Sequence, residues 1–153
     1  MRASGWDFIS HMIKDCQIII KLTQSKTSKQ FDEDEPTNRA VVYSLLNLGE
    51  LLKTCSDADK ASMSAIPWKS IIGFRNRAAH GFHNVNLKLA WYMAIKRIPP
   101  LLIELQKKSA ELAEQAEIAE KAKLAEIAKQ AKLAEQAKIT EQAENPKNPP
   151  AEE

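Results

Sequence analysis

Residues 75–82, which read RNRAAHGF, gather side chains that could act on a phosphodiester. Arg75 carries a planar set of N–H donors that matches phosphate oxygens and stays charged at physiological pH. His80 carries an imidazole, a side chain that commonly accepts and donates protons in catalysis, and it is predicted near the C-terminal end of a helix. These two side chains are the candidate catalytic residues. Their candidate supporting neighbours are Asn76, Arg77, Gly81, Phe82 and His83.

The chemistry that suits this pair is the cleavage of RNA by internal attack. A base takes the proton of the 2′-hydroxyl, an acid protonates the leaving oxygen, and a cation stabilises the charge that builds on the phosphate. These steps need neither a metal nor another cofactor, and none is expected. Because one histidine cannot be base and acid at once, a two-fold dimer that joins two such helix ends would complete the site. Spacing alone leaves open the alternative of a solvated surface motif that caps helix carbonyls.

Apolar residues at three- and four-residue steps predict the helices that position this motif. The first helix runs from about residue 6 to residue 24, with Ser4 as its N-cap. After a polar stretch, the second helix begins at Pro36, since proline suits a first helical turn. Its predicted buried face consists of Val41, Leu45, Leu48 and Leu52.

The motif itself is predicted at the end of the third helix. Residues 54–64 are expected to form a loop, and the helix restarts at Pro67. Gly81 can adopt the left-handed conformation that commonly closes helices. A fourth helix follows, with an asparagine cap at Asn84 or Asn86, and the pair at positions 99 and 100 should kink or break it because both residues are prolines.

These elements predict an all-α fold, an up-and-down bundle of four to five helices over residues 1–108. From Ala110 the composition changes to an Ala, Glu and Lys repeat with alanine at every third position. Its large apolar residues fall around the whole circumference of a helix, so no apolar face is available for packing. We expect residues 109–144 to form a solvent-exposed repeat helix and residues 145–153 to be a disordered tail.

Charge and composition narrow the class of protein only modestly. Residues 1–108 contain 16 Lys/Arg and 10 Asp/Glu, a net charge of +6, whereas the remainder has 6 and 10, a net charge of −4. A basic bundle suits a polyanionic partner such as RNA. Cys16 and Cys55 have neither disulfide-like nor metal-like spacing, and no apolar run reaches the roughly 20 residues of a membrane span. A cytoplasmic protein without membrane association is therefore expected.

The chain also resembles a known family over about residues 6–105. The stretch IPWKSIIGFRNRAAHGFHNVN, preceded by FDEDEPTNRAVVYSLLNLGELLK and followed by LAWYMAIKRIPPLLIEL, is similar to the HepT-like branch of the HEPN superfamily. Members of this branch are the toxins of HEPN/MNT toxin–antitoxin pairs. The most specific elements are LGE at 48–50, IPW before the third helix, the spacing from RN to H, and the proline in the later helix.

This resemblance implies a helical bundle that dimerises, so that two motif-bearing helix ends share one cleft, and a metal-independent ribonuclease activity. It assigns the motif arginine to Arg75, the polar residue after it to Asn76, and the motif histidine to His80. It also implies a cognate MNT-type nucleotidyltransferase antitoxin, which binds the toxin or transfers AMP to a tyrosine two residues after the histidine. That position is Phe82 here, which lacks the hydroxyl that would accept the nucleotide.

From the sequence alone, several other side chains have two interpretations. Glu50 either pairs with an arginine of the cleft or is an exposed helical carboxylate. Trp68 and Phe74 could stack on bases, although such spacing more often indicates core residues. Tyr43 and Tyr92 could replace the missing hydroxyl but are expected in the core.

Three functions therefore remain open from the sequence. The leading one is a HepT-like ribonuclease toxin that acts as a homodimer. The alternative is a non-catalytic dimeric HEPN module that binds RNA, a nucleotide or a nucleotidyltransferase partner. The third is a structural adaptor whose long tail recruits partners.

Overall fold

The fold is all-α, as predicted. A computed structural model of the chain describes the backbone of residues 5–144 and the side chains of residues 8–81 and 83–144. No strand occurs in this part of the chain. Its helices are α1 (Gly5–Thr23), α2 (Ser28–Glu33), α3 (Glu35–Thr54), α4 (Asp57–Ser62), α5 (Trp68–Ala78), a 3₁₀ turn (Phe82–Asn84), α6 (Leu87–Tyr92), a π-helical turn (Met93–Arg97) and α7 (Ile98–Glu144). The predicted N-cap at Ser4 and the tail at 145–153 lie outside the described residues.

In the core, α3 packs against both α1 and α5, and the start of α7 contributes buried residues. The four residues predicted to form the buried face of the second helix are all fully buried. On α1, Met12, Cys16 and Ile19 are fully buried at three- and four-residue steps, which confirms the predicted stripe. Leu101 and Leu105 contribute the first turns of α7 to the same core.

Two short helices occur where the sequence indicated none. The polar stretch before Pro36 contains α2, because the capping box of Thr27 and Gln30 satisfies backbone amides at its start. The predicted loop over residues 54–64 is wrong between Asp57 and Ser62, where Ser56 caps α4 in the same way. Both helices are only six residues long, too short for an apolar periodicity to be visible.

The proline pair does not break the helix that contains it. Pro99 and Pro100 have no backbone N–H, so the carbonyls four residues earlier lose their usual donors. The chain responds with the π-helical turn, in which the N–H of Ile98 donates to the carbonyl of Met93, five residues earlier. Helix α6, this turn and α7 therefore follow one another without an intervening loop.

Helix α7 extends into the alanine repeat as far as Glu144. The chain divides after Leu112 into two compact units. In the first, Leu112 is partly buried against the core. In the second, every described residue from 113 to 144 is exposed. No helix within residues 5–144 is long and apolar enough to cross a membrane.

Candidate active site at the end of α5

The motif helix is held against α3 by a close approach at Gly49. A methyl group on Gly49 would overlap Cβ of Arg75 and lie 3.4 Å from the carbonyl oxygen of Ile71. Any other residue at position 49 would force α5 to move, because its Cβ atom would come closer to Cβ of Arg75 than van der Waals contact allows. The glycine of LGE therefore sets the distance between the two helices that form the site.

This close approach places Arg75 beside a carboxylate. The guanidinium of Arg75 forms an ion pair with Glu50, the residue after Gly49. Its Nη1 also donates to Oδ1 of Asn76 over 3.3 Å. The Arg75 side chain is 26 % exposed and that of Glu50 is 48 % exposed, so both groups are in contact with solvent. Both interpretations of Glu50 therefore hold, since it pairs with an arginine and is also an exposed helical carboxylate.

The histidine lies just beyond the helix. Helix α5 ends at Ala78 with Ala79 as its C-cap, so His80 is in the turn that follows. Gly81 has φ of +121°, a conformation that side chains disfavour, and its N–H donates to the carbonyl of Ala78 over 3.3 Å. His80 and His83 are both exposed, and Phe82 begins the 3₁₀ turn. Within the described residues the His80 imidazole makes no hydrogen bond or ion pair.

Arg77 faces another part of the molecule. It lines a small cavity of about 140 Å³ between the end of α5 and the start of α6, together with Ala78, Asn86 and Leu89. Residues two apart lie about 200° apart on a helix, so Arg75 and Arg77 point to opposite sides of α5. The structure therefore groups Arg75, Asn76 and Glu50, and it separates Arg77 from them.

Two aromatic residues, Trp68 and Phe74, lie in or against the core as favoured, whereas two tyrosines do not lie where they were predicted. Phe74 is 2 % exposed and belongs to the core. Trp68 packs against the core, and its Nε1–H donates to the carbonyl of Met63 over 3.0 Å. The prediction that Tyr43 and Tyr92 are core residues is wrong, since they are 72 % and 46 % exposed. Each lies on the solvent side of its helix, which its helical setting alone could not reveal.

A second polar group lies between α1 and α3. Asp15 is 8 % exposed, and its Oδ2 accepts a hydrogen bond of 2.5 Å from Nδ2 of Asn47. Burial raises the pKa of Asp15, although hydrogen bonds from Asn47 and Ser44 act in the opposite direction. No sequence pattern had indicated this pair. The available signal was a carboxylate between Met12 and Ile19, on the apolar stripe of α1.

The first unit is thus an all-α bundle that holds an arginine, an asparagine and a glutamate at one helix end and exposes a histidine in the next turn. A family model described as ribonuclease HepT-like matches residues 12–108. This match spans most of the chain, and the protein belongs to the HepT-like family. The resemblance drawn from the motifs is confirmed at the level of the family.

Proteins similar to this chain have related names. A protein of Caldanaerobacter subterraneus subsp. tengcongensis named as a candidate RNase is 29 % identical over 108 residues, which cover 71 % of this chain and 93 % of that protein. A candidate RNase of Methanocaldococcus jannaschii is 25 % identical over 100 residues, 65 % of this chain and 83 % of its own length. The probable ribonuclease HepT of Thermococcus cleftensis is 24 % identical over 107 residues, 70 % and 97 % of the two chains. No solved structure matches.

Proposed function

We propose that this protein is the ribonuclease toxin of a HEPN/MNT toxin–antitoxin pair, and that it cleaves RNA as a homodimer without a metal. Family membership and the names of the relatives support a ribonuclease. The observation that carries the assignment to particular residues is the arginine held by Glu50 at the end of α5, next to the exposed turn that contains His80. The proposed place of action is the cytoplasm.

In this proposal Arg75 binds the scissile phosphate and stabilises the charge that develops on it. Its guanidinium is partly exposed and can donate to phosphate oxygens on the side away from Glu50. His80 transfers protons, since its exposed imidazole is accessible to a bound strand. One protomer contributes a single motif histidine, so the second proton-transfer group is the His80 of a second copy in a shared cleft.

The proposed partner is an MNT-type nucleotidyltransferase. Phe82 has no hydroxyl, so AMP transfer to that position is chemically impossible. The antitoxin of this chain would then act by binding alone, or it would modify a different hydroxyl, or the regulation would have been lost. Tyr43 and Tyr92 are both exposed and accessible to such an enzyme.

A cleavage assay with three proteins tests the ribonuclease directly. The parent, Arg75→Ala and His80→Ala proteins are incubated with total RNA and with a tRNA pool in EDTA. We expect only the parent to cleave, because the variants lack the phosphate ligand or the proton-transfer group, and we expect cyclic phosphate ends. Thermal unfolding and sedimentation should be the same for the parent and His80→Ala, since His80 is exposed. Loss of the dimer in His80→Ala would instead assign this residue a structural role.

One observation favours the non-catalytic alternative, a dimeric module that binds RNA, a nucleotide or its nucleotidyltransferase. No described residue hydrogen-bonds to His80, whereas catalytic histidines are usually oriented by a partner. In the same assay, three equally inert proteins with a folded, dimeric parent would establish this alternative and refute the nuclease.

A further inference from the structure

We propose that an exposed stripe of Lys88, Tyr92, Lys96 and Arg97 binds single-stranded RNA beside the candidate active site. The choice of RNA as the ligand rests on the proposed function. The stripe lies outside the motif, on α6 and the π-helical turn. It would hold a part of the substrate that Arg75 and His80 do not contact.

The region around the stripe contains basic residues and no acidic ones. From Ala61 to Ile103 the sequence contains six Lys/Arg and no Asp/Glu. The three cations of the stripe are exposed, and none forms an ion pair with a carboxylate of the described residues. Elsewhere basic groups are often neutralised, as in the pairs of Lys26 with Asp34 and of Arg75 with Glu50. The positive charge of the stripe is therefore available to phosphates.

The aromatic ring of the stripe is arranged for stacking. Tyr92 is 46 % exposed, and the guanidinium of Arg97 lies over its ring, 5.7 Å from the centroid. Residues five apart lie about 140° apart on an α-helix and would not meet. They meet here because the π-helical turn winds more loosely, and this turn follows from the missing amides of Pro99 and Pro100. A solvent-exposed ring with a cation over one face is a combination that binds unpaired bases.

The stripe begins close to the motif. Arg77 and Ala78 of α5 line one cavity with Leu89 of α6 and its N-cap Asn86, so the start of α6 lies near the end of α5. Lys88 lies at this end of α6, and Lys96 lies about 12 Å further along the helix axis. A strand that passes the turn containing His80 and His83 on the Arg77 side of α5, away from Arg75, would therefore continue over Lys88 towards Tyr92.

The other exposed tyrosine lacks these features. Tyr43 is more exposed than Tyr92, but seven residues later on the same face of α3 lies Glu50, a negative charge. The basic neighbour of Tyr43 one turn earlier, Arg39, is paired with Glu35. A nucleic acid strand is thus favoured at Tyr92 and not at Tyr43, and Tyr43 provides a matched control.

Binding is measured with the full chain and a fluorescein-labelled 2′-O-methyl RNA of about 12 nucleotides, which is single-stranded and cannot be cleaved by internal attack. Fluorescence anisotropy gives Kd over a series of salt concentrations in EDTA. The variants are Tyr92→Ala, Tyr92→Phe and the pair Lys88→Ala with Lys96→Ala. The controls are Tyr43→Ala and the pair Lys129→Ala with Lys132→Ala, which removes two exposed lysines from α7.

We expect Tyr92→Ala to weaken binding at least about fivefold and Tyr92→Phe to bind within about twofold of the parent, because stacking needs the ring and not the hydroxyl. Removal of both stripe lysines should reduce the slope of log Kd against log salt by about 1.4, since two phosphate contacts are lost. The control proteins should bind like the parent, and melting temperatures should be unchanged.

The proposal is overturned if Tyr92→Ala binds like the parent, or if Tyr43→Ala weakens binding equally. It is also overturned if the stripe variants bind RNA normally but no longer sediment as the parent does, which would make the stripe an interface between copies. A parent that binds through the stripe but never cleaves RNA refutes the proposed nuclease alone. If the parent cleaves RNA and Tyr92→Ala equals it in both binding and cleavage, only the proposal that the stripe binds RNA is refuted.

Discussion

At the scale of single residues, one carboxylate determines how much of the charge of Arg75 a substrate can use. Glu50 neutralises part of it, and a phosphate that approaches the guanidinium also meets this negative charge. Because both side chains are partly exposed, solvent screens their attraction and the pair contributes little to the stability of the fold. The pair of Glu50 with Arg75 instead affects how tightly RNA binds.

Glu50→Gln should therefore bind the uncleavable RNA about two- to fivefold more tightly than the parent. The amide keeps the shape of the side chain and removes its charge. Anisotropy measures the change, and Glu141→Gln, which removes an exposed carboxylate from α7, controls for net charge alone. Weaker binding by Glu50→Gln would show that the pair positions Arg75 and that this effect exceeds the repulsion.

The buried carboxylate of Asp15 leads to a prediction about pH. Burial raises its pKa in the folded protein above 3.8, so the folded state binds this proton more tightly than the unfolded state. The contribution of Asp15 to the free energy of unfolding thus falls as pH rises from 3.8 through the raised pKa of the folded protein. This contribution is least favourable at neutral pH. Asp15→Asn should be more stable than the parent at pH 7.

Urea unfolding at a series of pH values measures this difference, which should shrink towards pH 4 as the parent becomes protonated. Asp32→Asn, the loss of an exposed carboxylate, corrects for the change in net charge. If Asp15→Asn is the less stable protein at pH 7, the hydrogen bonds that Asn47 and Ser44 donate to the ionised group outweigh its desolvation.

At the scale of elements, the distance between α3 and α5 is set by Gly49. Gly49→Ala should destabilise the bundle by about 1–3 kcal/mol, because its methyl group would overlap Cβ of Arg75 and the helices must separate. The same separation should displace Arg75 from its place in the site and reduce cleavage. Urea unfolding and the RNA cleavage assay measure the two effects.

Gly73→Ala is the matched control on α5. A methyl group there would meet only Nη1 of Arg77, at 3.4 Å, which is the far end of a flexible side chain. Because alanine favours helix over glycine by up to about 1 kcal/mol, Gly73→Ala should leave stability unchanged or raise it. Equal destabilisation by both substitutions would mean that the close approach at Gly49 is not what holds α5.

At the scale of the whole molecule, the repeat helix is predicted to be unnecessary for the fold of the first unit. Deletion of residues 113–153 should leave the unfolding temperature unchanged, since every described residue beyond Leu112 is exposed. Tryptophan fluorescence follows the first unit, because Trp68 and Trp91 pack against its core. A drop of many degrees would show that the repeat stabilises the first unit.

A deletion that begins eight residues earlier provides the contrast. Removing residues 105–153 also removes the fully buried Leu105 and the partly buried Leu112. This protein should unfold at a clearly lower temperature, because loss of a large buried side chain costs about 2–5 kcal/mol. The two deletions together locate the point at which α7 stops contributing to the core.

The sequence by itself determined the helices and the residues that could do chemistry. Apolar periodicity placed the stripes of α1 and α3 correctly because burial of one helix face is a local and repetitive pattern. The motif spacing and the LGE and IPW elements indicated the HepT-like family, which the family model confirms. Periodicity could not detect α2 and α4, since six residues span less than two turns.

Only the tertiary structure decided which of these side chains meet. Three contacts join residues that are far apart in sequence, and each depends on how two helices cross. They are the pair of Glu50 with Arg75, the close approach at Gly49 and the hydrogen bond from Asn47 to Asp15. The exposure of Tyr43 and Tyr92 has the same origin. A helical pattern describes one element alone, whereas exposure and pairing depend on the neighbours that the element finds when the chain folds.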